Sequence, residues 1–451
     1  MNTRRRHDPV ELLALITGRV SRLAGAGAGS SLPGLVLERL SPRYVARRAA
    51  ALPDGVVVVS GTNGKTTTAS MIRAILRDEG WLCVGNDTGA NLHRGIATAL
   101  LEAPASARIG VFEIDEGALA GMIPMLQPRL LVLTNVFRDQ LDRFGDTESV
   151  AALLGRAAEG LSPGGVVIAN ADDPLLWHAV EGRSPIGFGV EPLTEADAAG
   201  MGAEPEMCPV CGGPLDLMRR SLGHLGAGHC PACGWSSQPP AYLARVLADG
   251  GVNGVLIEVS GTEIDLPVGG IHNAYNAAAA IAAVEALGIP AHRAATALEA
   301  FHPRFGRAEE LTVDGRRVLL ELMKNPAGAG ALVEKISSDP AVGAVVVSIS
   351  DQTADGRDIS WIYDADFERL AAAGLPMVAT GRRWADAAVR LKYAGVREVR
   401  AEADPLAAVR VAATLARSDG MVVVLATYTA MLDLRSELFS SRREAVVDAG
   451  P

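Results

Sequence analysis

Residues Val56–Thr68 read VVVVSGTNGKTTT, a β-branched run that ends in a glycine turn and a lysine. A run with no polar alternation suits a strand covered on both faces, as in a parallel sheet wrapped by helices. Gly61, Thr62, Asn63, Gly64, Lys65, Thr66 and Thr67 then have the composition of a phosphate-binding turn. Glycines let backbone N–H groups close around phosphate oxygens, and the helix that follows adds its positive end. Lys65 offers a point charge, and a threonine hydroxyl can reach Mg²⁺. The strict P-loop pattern needs a glycine where Val59 stands, so this is a shortened G-x-x-G-K-T-T variant.

Periodicity carries the same pattern onward. The helical spacing of Thr66–Asp78 and buried-strand runs at Ile109–Phe112, Leu130–Thr134, Val166–Ala169 and Pro185–Phe188 imply an α/β fold with a mostly parallel, doubly wound sheet. A second α/β domain is expected from strands at Val318–Glu321, Val345–Ile349, Pro376–Ala379 and Val422–Ala426. The expected organisation is an N-terminal helical arm over 1–52, a central ATP-binding domain over 53–301 and a C-terminal domain over 302–451. The arm, one or two helices broken by AGAGAGSS, reads as packing on the next domain, with a membrane-surface contact as the alternative.

Composition bounds the function. The 451 residues are 49% hydrophobic, enough for large cores, and the net charge of −10 argues against a general nucleic-acid binder. No apolar run is long enough to span a bilayer, and Glu11, Arg19 and Arg22 interrupt the only leader-like stretch, so a cytoplasmic location is expected. Lysine occurs only at 65, 324, 335 and 392.

The five cysteines are Cys83, whose apolar surroundings read as core, and the pairs Cys208/Cys211 and Cys230/Cys233. Two C-x-x-C pairs, each followed by glycine, have the spacing of a structural Zn²⁺ site with four thiolates. They lie in a Gly/Pro-rich stretch, 204–240, that reads as a zinc ribbon inserted in the central domain. His224 and His229 read as bystanders, because four sulfurs already complete the metal's shell.

GTNGKTTT resembles the ATP loop of the Mur ligase superfamily, which includes folylpolyglutamate synthases. FEIDEGAL (112–119), TNVFRDQLDRFG (134–145), NADDP (170–174), HNAYN (272–276) and FGRAE (305–309) are similar to further family segments, in the family's order. The resemblance implies that Glu113, Thr66 and His272 hold Mg²⁺, that Asn273 contacts adenine, and that Arg307 meets the nucleotide phosphates. Three features depart from the amino-acid-adding ligases. Only about 50 residues precede the loop, Asp142–Gly160 has no lysine to be carbamylated, and ELMKNPAG (321–328) replaces the family's D-Y-A-H-x-P.

ELMKNPAG, SDQTADGRDISWIYDADFE (350–368) and the cysteine insertion are similar to one branch of the superfamily, ligase-like subunits that amidate lipid II with a glutaminase partner (GatD-like). That resemblance implies an ATP-dependent carbon–nitrogen ligase of peptidoglycan synthesis, working as a heterodimer. It would convert the α-carboxyl of D-glutamate in the stem peptide to D-isoglutamine through an acyl phosphate. It also implies that an aspartate of the 351–366 cluster, Asp355 first and Asp358 second, completes the partner's Cys-His-Asp triad. The rival readings are a stand-alone amino-acid or folylpolyglutamate-type ligase and a zinc-stabilised ATP-binding scaffold.

Overall fold

A computed structural model describes residues 8–23, 32–86, 91–139, 145–193, 207–302, 308–352 and 354–448. Its strands in chain order are Val56–Ser60 (β1), Cys83–Val84 (β2), Ile109–Glu113 (β3), Leu130–Leu133 (β4), Val166–Asn170 (β5), Ile186–Glu191 (β6), Asp216–Leu222 (β7), Leu225–His229 (β8), Tyr242–Asp249 (β9), Val255–Val259 (β10), Thr262–Leu266 (β11), Glu309–Val313 (β12), Arg316–Leu322 (β13), Val342–Ser348 (β14), Met377–Thr380 (β15), Val399–Ala401 (β16) and Met421–Ala426 (β17).

The valine run of β1 is buried throughout because both of its faces are covered. Val57 and Val59 enter a core roofed by the helices Lys65–Asp78 and Ile271–Ala286. Val56 and Val58 enter the opposite core, which the helices His93–Glu102, Glu116–Leu126 and Thr147–Glu159 cover. β4 divides its leucines and valine in the same way, as the period of two requires.

The strands pair in the order β11-β10-β9-β6-β5-β4-β1-β3-β2. All neighbours from β9 to β2 run parallel, and β10 and β11 extend the sheet antiparallel. Since β1 lies between β3 and β4, the winding reverses beside it, and ligands of open α/β sheets bind at such a switch point. The second sheet has the order β12-β13-β17-β14-β15-β16 and is parallel except for its β12 edge.

β6 and β9 are neighbours, so the cysteine-bearing segment between them leaves and rejoins the central sheet. Within it β7 and β8 form an antiparallel hairpin. Among the described residues the N-terminal segment holds three helices, Pro9–Leu23, Leu32–Leu40 and Tyr44–Ala50, where one or two were expected. Pro42 explains the extra division, since a residue before proline is pushed out of the helical region. The AGAGAGSS break lies outside the described residues.

Candidate active site

The turn after β1 is built to bring backbone close to a ligand. Gly61 and Gly64 have φ of 123° and 84°. A Cβ on Gly61 would come within 2.4 Å of Thr134 Oγ1, and one on Gly64 within 2.3 Å of Asn276 Oδ1. Only glycine fits either place. The helix begins at Lys65, so its first N–H groups open onto the turn.

The segment after β4 braces this turn. Asn135 accepts from Asn63 N at 2.9 Å and donates to Asn63 O at 3.2 Å, while Thr134 Oγ1 donates to Asn63 O at 2.7 Å. The TN pair of the resemblance is therefore a clamp on the loop. Asp172 and Asp173 of NADDP are also braces. Asp173 accepts from Val136 N and caps the helix Pro174–Val180. Asp172 accepts from Val190 N, Tyr275 Oη and Arg219, and burial pushes its carboxyl upward against the pull of Arg219.

A cavity of about 550 Å³ opens over the turn, between the two sheets. Thr62, Asn63, Gly64, Lys65, Thr66 and Thr67 line it, with Glu113, His272, Asn273 and Asp355 from elsewhere in the chain. Lys65 Nζ donates to Thr62 O at 3.2 Å, to Gly61 O and to Glu116 Oε2 at 3.1 Å. Glu113 ends β3 facing the cavity, and its Oε2 is buried with no hydrogen-bond partner among the described residues. A carboxylate oxygen left so is what a cation would satisfy. Asn273 donates to Gly269 O and accepts from Asn276, which in turn accepts from Thr68.

The C-terminal domain closes the site. After β13, Lys324 Nζ reaches Thr62 O at 3.0 Å and Asp139 Oδ2 at 2.9 Å. Asn325 caps the helix Pro326–Ser337 through Gly328 N and pairs with Asn63 at 2.9 Å. Lys324, Asn325, Glu116 and Asn135 were not singled out from sequence. Two of them lie in ELMKNPAG, so the departure from D-Y-A-H-x-P was the signal that could have found them.

Asp355 lies on the loop after β14, where Oδ1 accepts from Thr429 N at 2.9 Å and Oδ2 is buried with no partner among the described residues. Asp358 is exposed on the same loop and accepts from Ser360 N, which holds its carboxyl below the usual range. Arg307 lies outside the described residues.

The four sulfurs of Cys208, Cys211, Cys230 and Cys233 lie within 4.8 Å of one another. The closest are 3.5 and 3.6 Å apart, too far for a disulfide and near the roughly 3.8 Å edge of a tetrahedron with 2.3 Å metal–sulfur bonds. Each C-x-x-C-G turn folds back on itself, Gly212 N donating to Cys208 O and Gly234 N to Cys230 O. The N–H of Cys233, aided by that of Ala232, draws the Cys230 thiol down to about 7. His224 packs on Phe137 at 4.6 Å and His229 bonds Ser236, so neither joins the cluster.

The chain matches the Mur ligase middle domain over residues 59–198 and the MurT ligase C-terminal domain over 322–431. It is 35% identical, over 96% of its length and 97% of the relative's, to the lipid II isoglutaminyl synthase (glutamine-hydrolyzing) subunit MurT of Streptococcus pneumoniae. The chain belongs to the MurT family. The Staphylococcus aureus MurT subunit is 30% identical over 85% of this chain and 87% of its own.

Beyond the MurT family the likeness is one of fold. A pseudomurein peptide ligase type C from Methanothermus fervidus superposes with a TM-score of 0.66 at 21% identity, over 85% of this chain and 78% of its own. MurF of Thermotoga maritima, solved in complex with ADP, gives 0.63 at 15% identity, over 92% and 84%. Among the described residues of this MurT family member, no helix is long and apolar enough to cross a membrane.

Proposed function

We propose that this chain is the synthase subunit of a lipid II isoglutaminyl synthase. It activates the α-carboxyl of D-glutamate in the stem peptide with ATP and exchanges the phosphate for ammonia. The observation that carries this reading is the likeness to a MurT subunit along 96% of the chain.

The triphosphate lies along the turn, with backbone N–H groups and the helix start on its phosphates. Lys65 exchanges Glu116 for a phosphate oxygen, and Asn273 meets the adenine. Arg307 is assigned to the phosphates by resemblance. The orphaned Glu113 oxygen fits a divalent cation. Thr66, Glu113 and His272 would hold Mg²⁺, which supplies charge neutralisation to the phosphates when bound. The glutamyl oxygen takes the γ-phosphoryl group as the bond to ADP breaks. Ammonia then adds to the acyl carbon, phosphate leaves, and the nitrogen sheds a proton. The cysteine cluster, with four sulfurs and no open position, fits a structural Zn²⁺.

With glutamine as donor, ammonia comes from a glutaminase subunit, a reading supported by the packing of Cys83 against the core and by the gathering of the other cysteines in the cluster. An aspartate of this chain orients the partner's histidine. If it is Asp355, which lines the cavity, ammonia is released at the mouth of the ATP site. The likeness to MurT subunits supports assigning the work to the cytoplasm.

The test is isotope-resolved mass spectrometry of lipid II with ATP and either amide-¹⁵N glutamine or ¹⁵N-ammonium, with and without the glutaminase. Labelled D-isoglutamine is expected from either donor, glutamine requiring the partner. Lys65→Ala is expected to reduce both by roughly 10²–10³-fold. Asp355→Asn is expected to abolish the glutamine route and spare the ammonia route. The same pattern in Asp358→Asn instead would move the triad role there. Addition of an amino acid in place of an amide would sink the proposal.

A further inference from the structure

The first helix, Pro9–Leu23, leaves an apolar stripe uncovered. Glu11, Ala14 and Ser21 are 4%, 0% and 5% exposed, turned toward the protein. Leu12, Leu13, Ile16 and Val20, spaced one and two turns apart on the other side, are 49%, 45%, 56% and 58% exposed. Ala14, with Val10 and Leu15 half-buried beside it, packs on the core, and the helix also meets Leu32–Leu40, yet four large apolar side chains are left facing outward. Leu32 and Leu40 of that second helix are also exposed, at 43% and 56%. An apolar face of this extent needs a partner.

Charge indicates which. The first 50 residues hold nine arginines and only three acidic residues, in a chain whose net charge is −10. Arg19, beside Val20, is exposed, as are Arg39 and Arg43. An apolar helical stripe with arginines and no aspartate or glutamate on its outer face matches an interfacial helix on an anionic bilayer. We propose that the N-terminal helices dock this protein on the anionic surface of a membrane, Leu12, Leu13, Ile16 and Val20 entering among the acyl chains. The choice of a lipid surface rests partly on the lipid-linked acceptor proposed above. Contacts run from the first helix through the second to His93–Glu102, and Asn91 and Leu92, just before that helix, line the cavity. The docked arm therefore sets the site beside the surface that carries its acceptor.

The test is flotation of the full chain with phosphatidylglycerol-rich vesicles, and with phosphatidylcholine vesicles as the neutral surface. Ile16→Glu/Val20→Glu is expected to weaken flotation about ten-fold, with nucleotide affinity unchanged as the check on folding. Arg19→Glu, which leaves the stripe intact, is expected to weaken binding to anionic vesicles only. Amidation of vesicle-borne lipid II should fall with flotation, while a water-soluble stem peptide reacts as before. Flotation that depends on the stripe, in a protein that amidates nothing, would keep the docking and remove the proposed reaction. Absence of flotation in the wild type would overturn the inference. So would a stripe variant that floats normally but loses self-association or its glutaminase.

Discussion

Lys65 and Lys324 come from opposite halves of the chain and donate to the same carbonyl, that of Thr62, at 3.2 and 3.0 Å. The first was legible because it stands in a contiguous motif. The second becomes a site residue only when the two sheets meet, and the local marks it carries are the rarity of lysine and the ELMKNPAG departure. Removing it leaves Asp139, mostly buried, without its cation. Lys324→Ala is therefore expected to raise the KM for ATP and lower kcat, together costing about 2–5 kcal/mol in kcat/KM. Initial rates with ammonia as donor check this, since the glutaminase is then not limiting. Arginine should rescue poorly, because its planar fork cannot sit on the turn as a compact ammonium does. Unchanged kinetics in Lys324→Ala would take this lysine out of the site. Glu113 and His272 were readable in the same way as Lys65, from short motifs. The Asn63–Asn325 pair was not, its members standing 262 positions apart.

At the level of elements, the cysteine ribbon is joined to the nucleotide site. Its hairpin strand β7 ends in Leu222, which lines the cavity beside Tyr275. Ser221 and Arg219 of the same strand tie to Tyr275 and Asp172. Cys211→Ser, or treatment with a chelator, is expected to release one metal ion per chain, measured by elemental analysis. Loosening of this wall should raise the KM for ATP roughly five-fold, about 1 kcal/mol. Loss of metal with ATP binding intact would make the ribbon independent of the site. The central parallel strands were legible because burial on both faces leaves unbroken runs of Val and Leu. β9, β10 and β11 were missed because they are buried on one side only, and polar residues interrupt each of them. Ser260-Gly261 was their available signal. Both residues have positive φ, 51° and 71°, as a tight hairpin turn requires.

Across the whole molecule, parallel strands of both sheets, β1, β3 and β4 of one and β13, β14 and β17 of the other, deliver their carboxyl ends to one cavity, so groups far apart in sequence share one fate when a nucleotide enters. The four lysines sample that fate separately. Lys65 and Lys335 are buried, Lys324 is one-third exposed at the cavity, and Lys392 lies in the open on the helix Trp384–Tyr393. An amine-acylating reagent should therefore mark Lys392 first and Lys324 slowly, with mass spectrometry reading each peptide. A non-hydrolysable ATP analogue is expected to slow Lys324 and the already slow Lys65, which both line the cavity, while Lys335 reacts only as the fold opens. Equal slowing of Lys392 would mean that the reagent reports something other than the cavity. Scarcity of one residue type thus equips this protein with a built-in footprint: surface, cleft and core each carry their own amine, distinguishable without any label being engineered.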